Sequence, residues 1–265
     1  MTIHSQVFSV SKKLLLPIIV SMLLVASCAT GVNNPGQNEK QESLDPDSFQ
    51  YRTLQRLEHH LETGEGRGGD YHNVGVGLMY GTSGYPQDHK KAMRFLRHSV
   101  EKGNTASLSS IGTMYENGWG VRRDMEEAFR WYSCSAEAGQ VLGYLNVGNA
   151  YYNGQVVNQN YDTAAFWWRK AAERGQAEAM INFALIYARG VGGYSQDFVR
   201  AHAWASQAAR RGTEGAETLR NEVASKMTRA QIASAQSLSQ ELAESISYQV
   251  FNPDPDEFKA IRCEK

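Results

Sequence analysis

The sequence predicts an all-α protein, specifically an α-solenoid in which antiparallel helical hairpins stack into a superhelix. Residue types recur with a period of about 36 residues over most of the chain. Each period contains two segments whose apolar or small residues follow helical spacing, and glycines separate these segments. Because one helical hairpin cannot cover its own apolar face, successive hairpins must stack, and each one contacts its neighbours.

The composition supports a folded core and excludes several classes of protein. The chain has 265 residues, 42% of them hydrophobic, so it can bury a core and is not disordered. Its 27 basic and 28 acidic residues give a formal net charge of -1, which argues against a nucleic-acid-binding protein. Three cysteines are too few for a disulfide-rich scaffold or for a zinc site with four cysteine ligands.

We interpret residues 1–27 as a lipoprotein signal peptide. Lys12 and Lys13 precede an apolar run over residues 14–26, which contains Pro17. A helix needs about 20 apolar residues to cross a membrane, so this run of 13 is too short. The pattern is therefore typical of an export signal and not of a membrane span.

The apolar run ends in the sequence VASC, which resembles the bacterial lipobox. This resemblance implies that Cys28 carries acyl chains such as palmitate, which anchor the mature protein in a membrane. Ala29, in place of the Asp that retains lipoproteins at the inner membrane, implies the outer membrane. We expect the protein on the periplasmic face of that membrane, and the cell surface is the alternative. The alternative is ordinary cleavage nearby, with Cys28 left as a free thiol. Residues 28–45 are polar and rich in Gly, Asn and Gln, as in a flexible tether.

Residues 70–212 contain four repeats, in which five sets of equivalent positions recur in one phase. We expect the small residues to let helices approach closely, while large rings fill the space between repeats. The predicted core rings are Trp131, Trp167, Trp204, Tyr115, Tyr151 and Tyr187. The aligned positions are Gly77, Gly112, Gly148 and Ala184; Tyr80, Tyr115, Tyr151 and Tyr187; Ala92, Ala128, Ala164 and Ala201; Phe95, Trp131, Trp167 and Trp204; and Gly103, Gly139, Gly175 and Gly212.

Capping residues mark where the second helix of each repeat begins. A residue with a short polar side chain lies four positions before each aligned alanine and can accept a hydrogen bond from the first free amides of a helix. These residues are Asp88, Asp124, Asn160 and Asp197. The recurring glycine that follows can adopt the left-handed conformation that favours a helix end.

The segments that flank the repeats are predicted to cover the two ends of the solenoid. Residues 46–66 have an apolar stripe and are predicted to form an N-terminal capping helix. Residues 213–248 are predicted to form a C-terminal capping hairpin, because the last repeat otherwise exposes its core. Residues 249–265 contain Pro253 and Pro255 and are predicted to be an irregular tail.

The segment SLSSIGTMYENGWGV at residues 107–121, followed by AFRWY and AEAG, resembles the Sel-one-like repeat. That family is related to the tetratricopeptide repeat, so the resemblance implies a tetratricopeptide-like superhelix. It covers roughly residues 70–212 in four units. The first unit departs from the pattern, with Gly84-Tyr85-Pro86 in its loop and Phe95 in place of Trp.

No residues are predicted to be catalytic, to bind a cofactor or to bind a metal. The loop Gly118-Trp119-Gly120 lacks the preceding strand and the following Lys-Ser or Lys-Thr of a phosphate-binding loop. The seven histidines do not occur at a metal-ligand spacing, and no nucleophile motif is present. These observations favour a protein without enzymatic activity, although the absence of a motif does not prove it.

Cys134 and Cys263 are candidates for a disulfide bond. Cys134 aligns with His98, Lys170 and Gln207, so we expect this position to be exposed in every repeat. In an oxidising periplasm Cys134 could pair with Cys263 and close a loop of about 130 residues. Unpaired thiols and an intermolecular disulfide are the alternatives.

Three large rings occupy positions where the other repeats have mostly small or polar residues. They are Trp119, Tyr152 and Phe166, which align with Gln155, with Glu116 and with Arg130, respectively. Aromatic anchors dominate the energetics of interfaces, so we predict that these rings bind a protein partner. Local packing against a neighbouring helix is the alternative.

The resemblance implies a non-enzymatic adaptor that holds envelope or periplasmic proteins in a complex, for example in secretion, polysaccharide export or motor assembly. The basic stripe formed by Lys90, Arg94 and Arg97 could bind an anionic glycan or lipid, so a glycan is a second class of partner. A solvated helix face is the alternative explanation of that stripe. The alternative function is peptidoglycan binding, or weak β-lactam binding or hydrolysis. A cysteine-rich subgroup of the family is associated with that activity, and the present chain lacks its cysteine pairs.

Overall fold

The computed structural model describes residue 45, residues 48–63 and residues 65–251. The predicted signal peptide, the acylation site Cys28, most of the tether, Cys263 and the last 14 residues lie outside the described residues. Within the described part, every regular element is a helix, and none of these helices is long and apolar enough to span a membrane. The predicted all-α fold is confirmed.

Eleven helices follow one another along the described part of the chain. The four repeats supply a first helix (α2, α4, α6 and α8) and a second helix (α3, α5, α7 and α9), and each packs against the next in the chain. Their bounds are α1 Phe49–Thr63, α2 Gly68–Tyr80, α3 His89–Glu101, α4 Ser107–Asn117, α5 Met125–Glu137, α6 Val141–Asn153, α7 Tyr161–Glu173, α8 Ala177–Arg189, α9 Phe198–Ala209, α10 Ala216–Ala224 and α11 Arg229–Phe251.

The second helices begin where the sequence predicts. In each repeat the capping side chain accepts a hydrogen bond from the backbone N–H three residues later, at 2.9 to 3.0 Å. This bond satisfies one of the amides that a helix start leaves without an intrahelical partner. The first helices end at glycines with φ of 65° to 71°, namely Gly81, Gly118, Gly154 and Gly190.

In the second and third repeats, a ring of the second helix packs directly on a glycine of the first. A Cβ atom added to Gly112 would lie 2.6 Å from Cε1 of Tyr132, and one added to Gly148 would lie 2.5 Å from Cδ1 of Trp168. Tyr132 and Trp168 are 6% and 3% exposed. In the fourth repeat Ala184 replaces the glycine and Ala205 replaces the ring, so this contact is absent there.

Two of the six predicted core rings, Trp131 and Trp167, therefore lie one position before the rings that pack on the glycines. Of the six, Trp204 is buried, whereas Trp131, Trp167 and the three tyrosines are half-buried and pack at the margin of the core. Adjacent residues on a helix point about 100° apart, so Tyr132 and Trp168 face the glycines and the preceding tryptophans do not.

Helix α1 packs on the first repeat through its apolar stripe. Leu54 and Leu57 are buried in the same cluster as Tyr71 and Leu78 of α2. The Nζ atom of Lys91 also lies 2.8 Å from a carboxylate oxygen of Glu58. The helix thus covers apolar surface of the first hairpin.

The last two helices differ from the predicted C-terminal hairpin, because both pack chiefly against α9. Helix α11 lies along the outer side of α9 and extends far enough to contact α7. Small side chains permit this approach: Ala203 and Ala205 of α9 are fully buried, whereas Arg94, Arg130 and Phe166 align with Ala203 and are exposed. Ile246 of α11 is 2% exposed in the resulting interface.

The contact between ring and glycine predicts that Gly148→Ala destabilises the protein by about 1–3 kcal/mol, because the added methyl group overlaps Trp168. In a helix Gly→Ala normally stabilises by up to about 1 kcal/mol. Gly69→Ala in α2 is the matched control, because nothing lies within 4 Å of the added Cβ. Urea unfolding of both variants measures the two effects, and a Gly148→Ala variant as stable as the control would contradict this packing.

Candidate functional site

The first helices of the second, third and fourth repeats carry polar side chains on one common face. These residues recur two positions before, one after and five after the small residue of each repeat, a spacing that places them on one side of a helix. Each side chain is half-buried or exposed. We call this surface the amide face; it consists of Ser110, Thr113 and Asn117 of α4, Asn146, Asn149 and Asn153 of α6, and Asn182 and Arg189 of α8.

Hydrogen bonds between repeats fix the position of the amide face. The side-chain oxygen of Asn149 accepts from Trp168 Nε1 at 2.9 Å and from Asn182 Nδ2 at 3.3 Å. A guanidinium nitrogen of Arg189 donates to the hydroxyl of Tyr152 at 2.6 Å. Helices α6 and α8 therefore present their polar side chains as one continuous surface.

Two amides of this face are available to a ligand. The side chains of Asn146 and Asn153 make no hydrogen bond with the described part of the chain. An asparagine amide carries two donor hydrogens and an acceptor oxygen, so it can bond to both a carbonyl and an N–H group. These two residues could therefore hold a polar chain that lies across α6.

A small groove adjoins these amides where α5 meets α6. Its cavity of about 60 Å³ is lined by Asn146, Asn149 and Asn153, and by Tyr132 and Glu116 on the opposite side. Enclosed small-molecule sites usually measure about 300–1,000 Å³, so this groove suits one side chain of a ligand and not a whole substrate.

The phenol of Tyr132 gives the groove a fixed polar wall. Its hydroxyl donates to a carboxylate oxygen of Glu116 at 2.6 Å. Burial raises the pKa of Tyr132 well above its usual value, and the neighbouring negative charge of Glu116 raises it further. The phenol therefore stays protonated at any physiological pH.

At its loop end the groove opens onto a wider surface depression. Arg122 and Arg123 line this depression together with Asp124 and Glu126. Because both signs of charge alternate there, the depression does not select a strongly acidic or strongly basic ligand.

The structure does not bring the three predicted partner-binding rings together. Trp119 packs locally, stacked 5.1 Å from the ring of His89 and edge-on to Tyr80 at 5.9 Å. Tyr152 lies beside the amide face, 5.0 Å from the ring of Trp168.

Phe166 lies on the second-helix side and is 43% exposed. Its ring is edge-on to Trp167 at 5.2 Å, and the ammonium group of Lys170 lies 5.6 Å from its centre. A binding role for each of the three rings stays a prediction.

The half-buried Cys134 of α5 takes part in a disulfide bond. The chain contains two other cysteines, Cys28 and Cys263, and both lie outside the described residues. The aligned Gln207 is buried and not exposed, because α11 covers it and Ser239 Oγ accepts a hydrogen bond from it at 2.8 Å.

A serine and a histidine lie close together in the first repeat, but their geometry does not suit nucleophilic catalysis. His72 Nδ1 lies 2.8 Å from the hydroxyl of Ser107, which itself donates to the hydroxyl of Ser99. The imidazole must then be the donor to Ser107, whereas a general base would be the acceptor. Both serines are fully buried, so the arrangement serves to satisfy their hydroxyl groups.

The described residues contain no group of three or more His, Cys, Asp or Glu side chains that could hold a metal ion. Sequence reasoning identified none of the amides of the amide face. The sequence signal for this face is the recurrence of polar residues inside otherwise apolar first helices.

The hydrogen bonds of the amide face predict different effects for two neighbouring asparagines. Asn149→Ala should destabilise the protein by about 1–3 kcal/mol, because the indole N–H of Trp168 loses its acceptor. Asn146→Ala should change stability by no more than about 0.5 kcal/mol. Chemical unfolding of the two variants checks this, and equal losses would show that Asn149 does not hold Trp168.

Two solved structures of other proteins resemble this fold. A Sel1 repeat protein from Oxalobacter formigenes matches with a TM-score of 0.58 and 20% identity, over 78% of this chain and 82% of that one. A protective antigen present in uropathogenic Escherichia coli strains, which displays an SLR fold, matches with a TM-score of 0.49 and 24% identity over 80% of this chain. The match spans about half of the antigen chain, 52%. No curated protein matches the sequence significantly.

The repeats themselves match a known family. The sequence profile of the Sel1 repeat matches residues 71–104, 106–140, 141–176 and 177–213, which together make up more than half of the chain. These segments coincide with the four helical hairpins. The chain therefore belongs to the Sel1 repeat family.

Proposed function

We propose that this protein is a non-enzymatic adaptor that binds an extended segment of a partner protein across its amide face. Proteins with Sel1 repeats generally serve as scaffolds for protein–protein interactions. The observation that carries the proposal is the row of amides that crosses three repeats, with Asn149 and Asn182 in direct contact.

An extended peptide has the chemistry that this face can bind. Its backbone presents alternating N–H and C=O groups every 3.2–3.4 Å, and each free asparagine amide can bond to one of each. The groove beside Asn146 would take one side chain of the peptide. Recognition of backbone groups tolerates sequence variation, which suits a scaffold with more than one partner.

The proposed location is the periplasmic face of the outer membrane. The support for it is the VASC sequence that ends at Cys28, together with Ala29 at the next position. Two or three acyl chains give stable anchoring where a single chain is marginal. The partners would then be envelope or periplasmic proteins.

A double variant, Asn146→Ala with Asn153→Ala, tests the proposed binding surface. Loss of both amides should weaken peptide binding about tenfold, because two net hydrogen bonds of about 0.7 kcal/mol each correspond to that factor. The measurement is recovery of partners from cross-linked envelopes, followed by affinity for the recovered segment as a peptide. Gln236→Ala with Gln240→Ala, at two exposed positions of α11, is the matched control.

Two results would contradict the proposed peptide adaptor. Equal partner recovery by both double variants would place the binding surface elsewhere. Capture of purified peptidoglycan by the wild-type chain but not by the Asn146 and Asn153 variant would show that the amides bind a glycan, since sugar hydroxyls also bond to amides. Turnover of a chromogenic β-lactam by the purified chain would contradict the assignment as a non-enzyme.

The proposed anchor predicts that Cys28→Ala abolishes labelling by a palmitate analogue, because the acylated thiol is lost. The uncleaved precursor should accumulate at the same time. Cys134→Ala is the control and should be labelled like the wild type. Continued acyl labelling of Cys28→Ala, seen by gel fluorescence, would refute the lipoprotein assignment.

A further inference from the structure

The groove between α5 and α6 carries a negative charge on Glu116. Of the described residues that line the groove, Glu116 is the one with a charged side chain. One oxygen of its carboxylate accepts a hydrogen bond from Tyr132. The second oxygen makes no hydrogen bond within the described part of the chain, and the carboxylate forms no ion pair there. This oxygen is therefore available to a ligand.

The tyrosine holds the carboxylate in place. Tyr132 is 6% exposed, and because burial raises the pKa of Tyr132, its hydroxyl stays protonated and donates to Glu116. Glu116 itself is half-buried. A carboxylate that is partly shielded from water attracts a cation more strongly than one in bulk solvent. Its fixed position also lowers the cost of ordering it when a ligand binds.

The neighbouring charges do not neutralise Glu116. Nε of Arg123 donates to the backbone carbonyl of Glu116 at 2.8 Å, and its guanidinium forms no ion pair with the carboxylate. The adjoining depression contributes two cations and two anions, which are Arg122 and Arg123, and Asp124 and Glu126. Because these four charges sum to zero, the groove and the depression together keep the one negative charge of Glu116.

The size and the walls of the groove suit a lysine side chain. A cavity of about 60 Å³ has room for an ammonium group, which is about the size of a water molecule. Phe129 and Val156 line the same groove and can pack against the methylene groups of a lysine. The amide oxygens on the α6 side can accept the other ammonium hydrogens. A guanidinium is a wider planar group, for which this groove offers less room.

We propose that the groove binds a lysine side chain of the partner segment, whose ammonium group pairs with the second carboxylate oxygen of Glu116. This assignment rests on the proposed binding of an extended peptide to the amide face. Asn146 and Asn153 bond to the peptide backbone whatever its sequence, whereas Glu116 selects the residue at one position. The adaptor therefore recognises segments that place a lysine beside α6.

Peptide libraries passed over the immobilised mature chain test this selection. Each library has blocked ends, neutral residues at the mixed positions and one fixed central residue, which is lysine, arginine, norleucine or glutamate. The wild type should retain the lysine library about tenfold more strongly than the norleucine library, because norleucine has a similar apolar stem without the charge. The ratio of the two is compared within each variant, so a smaller folded fraction does not change it.

Two variants locate the charge that is responsible. Glu116→Gln should remove the preference for lysine, because a neutral amide does not pair with an ammonium group, although it can still accept from Tyr132. Glu126→Gln is the matched control, since it removes an exposed negative charge from the adjoining depression and should keep the preference. An equal loss in both variants would overturn the pairing with Glu116.

The same libraries separate failure of the lysine site from failure of the peptide adaptor. Equal retention of the lysine and norleucine libraries by the wild type, or stronger retention of the arginine library, would overturn the lysine site. The adaptor would still stand if the Asn146→Ala and Asn153→Ala double variant retained every library more weakly than the wild type. Unchanged retention by that variant would refute the adaptor, and no measurable retention of any library would refute both.

Discussion

In the second and third repeats, the contact between a ring of the second helix and a glycine of the first sets how closely the two helices of the hairpin pack. In the third repeat the indole of Trp168 rests on Gly148, at a distance that leaves no room for a Cβ atom. The same indole donates to Asn149, the residue next to that glycine. A contact that sets the spacing of two helices thus also orients an amide on the outer surface, so core packing and the candidate site are parts of one arrangement.

Much of the fold could be predicted from the sequence, because the period, the capping residues and the glycines are local signals. The sequence could not predict which of two adjacent rings lies at the centre of the core. The second and third repeats carry Trp131-Tyr132 and Trp167-Trp168, two adjacent rings in each case. A 36-residue period aligns both members equally well, and only the direction of the neighbouring glycine decides which one is buried.

The candidate site was less predictable, since polar residues at helical spacing usually mark a solvated face. Asn149 becomes part of the amide face through its contact with Asn182, which lies 33 residues away in sequence. Such contacts depend on how one repeat is stacked on the next. The position of α11 could not be predicted for the same reason, because it depends on contacts between residues far apart in sequence. The one local signal for it was the small side chain of Ala203, where the other repeats have Arg or Phe.

The second helices and the amide face differ in the groups that can satisfy their side chains, and this difference explains why α11 packs on α9 and not on the amide face. Helix α9 presents small apolar side chains such as Ala203 and Ala205, and α11 covers them with a gain in buried apolar area. Asn146 and Asn153 need hydrogen-bonding partners, and covering them with apolar residues would leave their amides unsatisfied at a cost of about 1–3 kcal/mol each. Gln207 of α9 is a polar residue that α11 does bury. Its amide is satisfied there, because it donates a hydrogen bond to the hydroxyl of Ser239. The proposed partner fits this requirement, because an extended peptide segment has unpaired polar backbone groups that could bond to these amides.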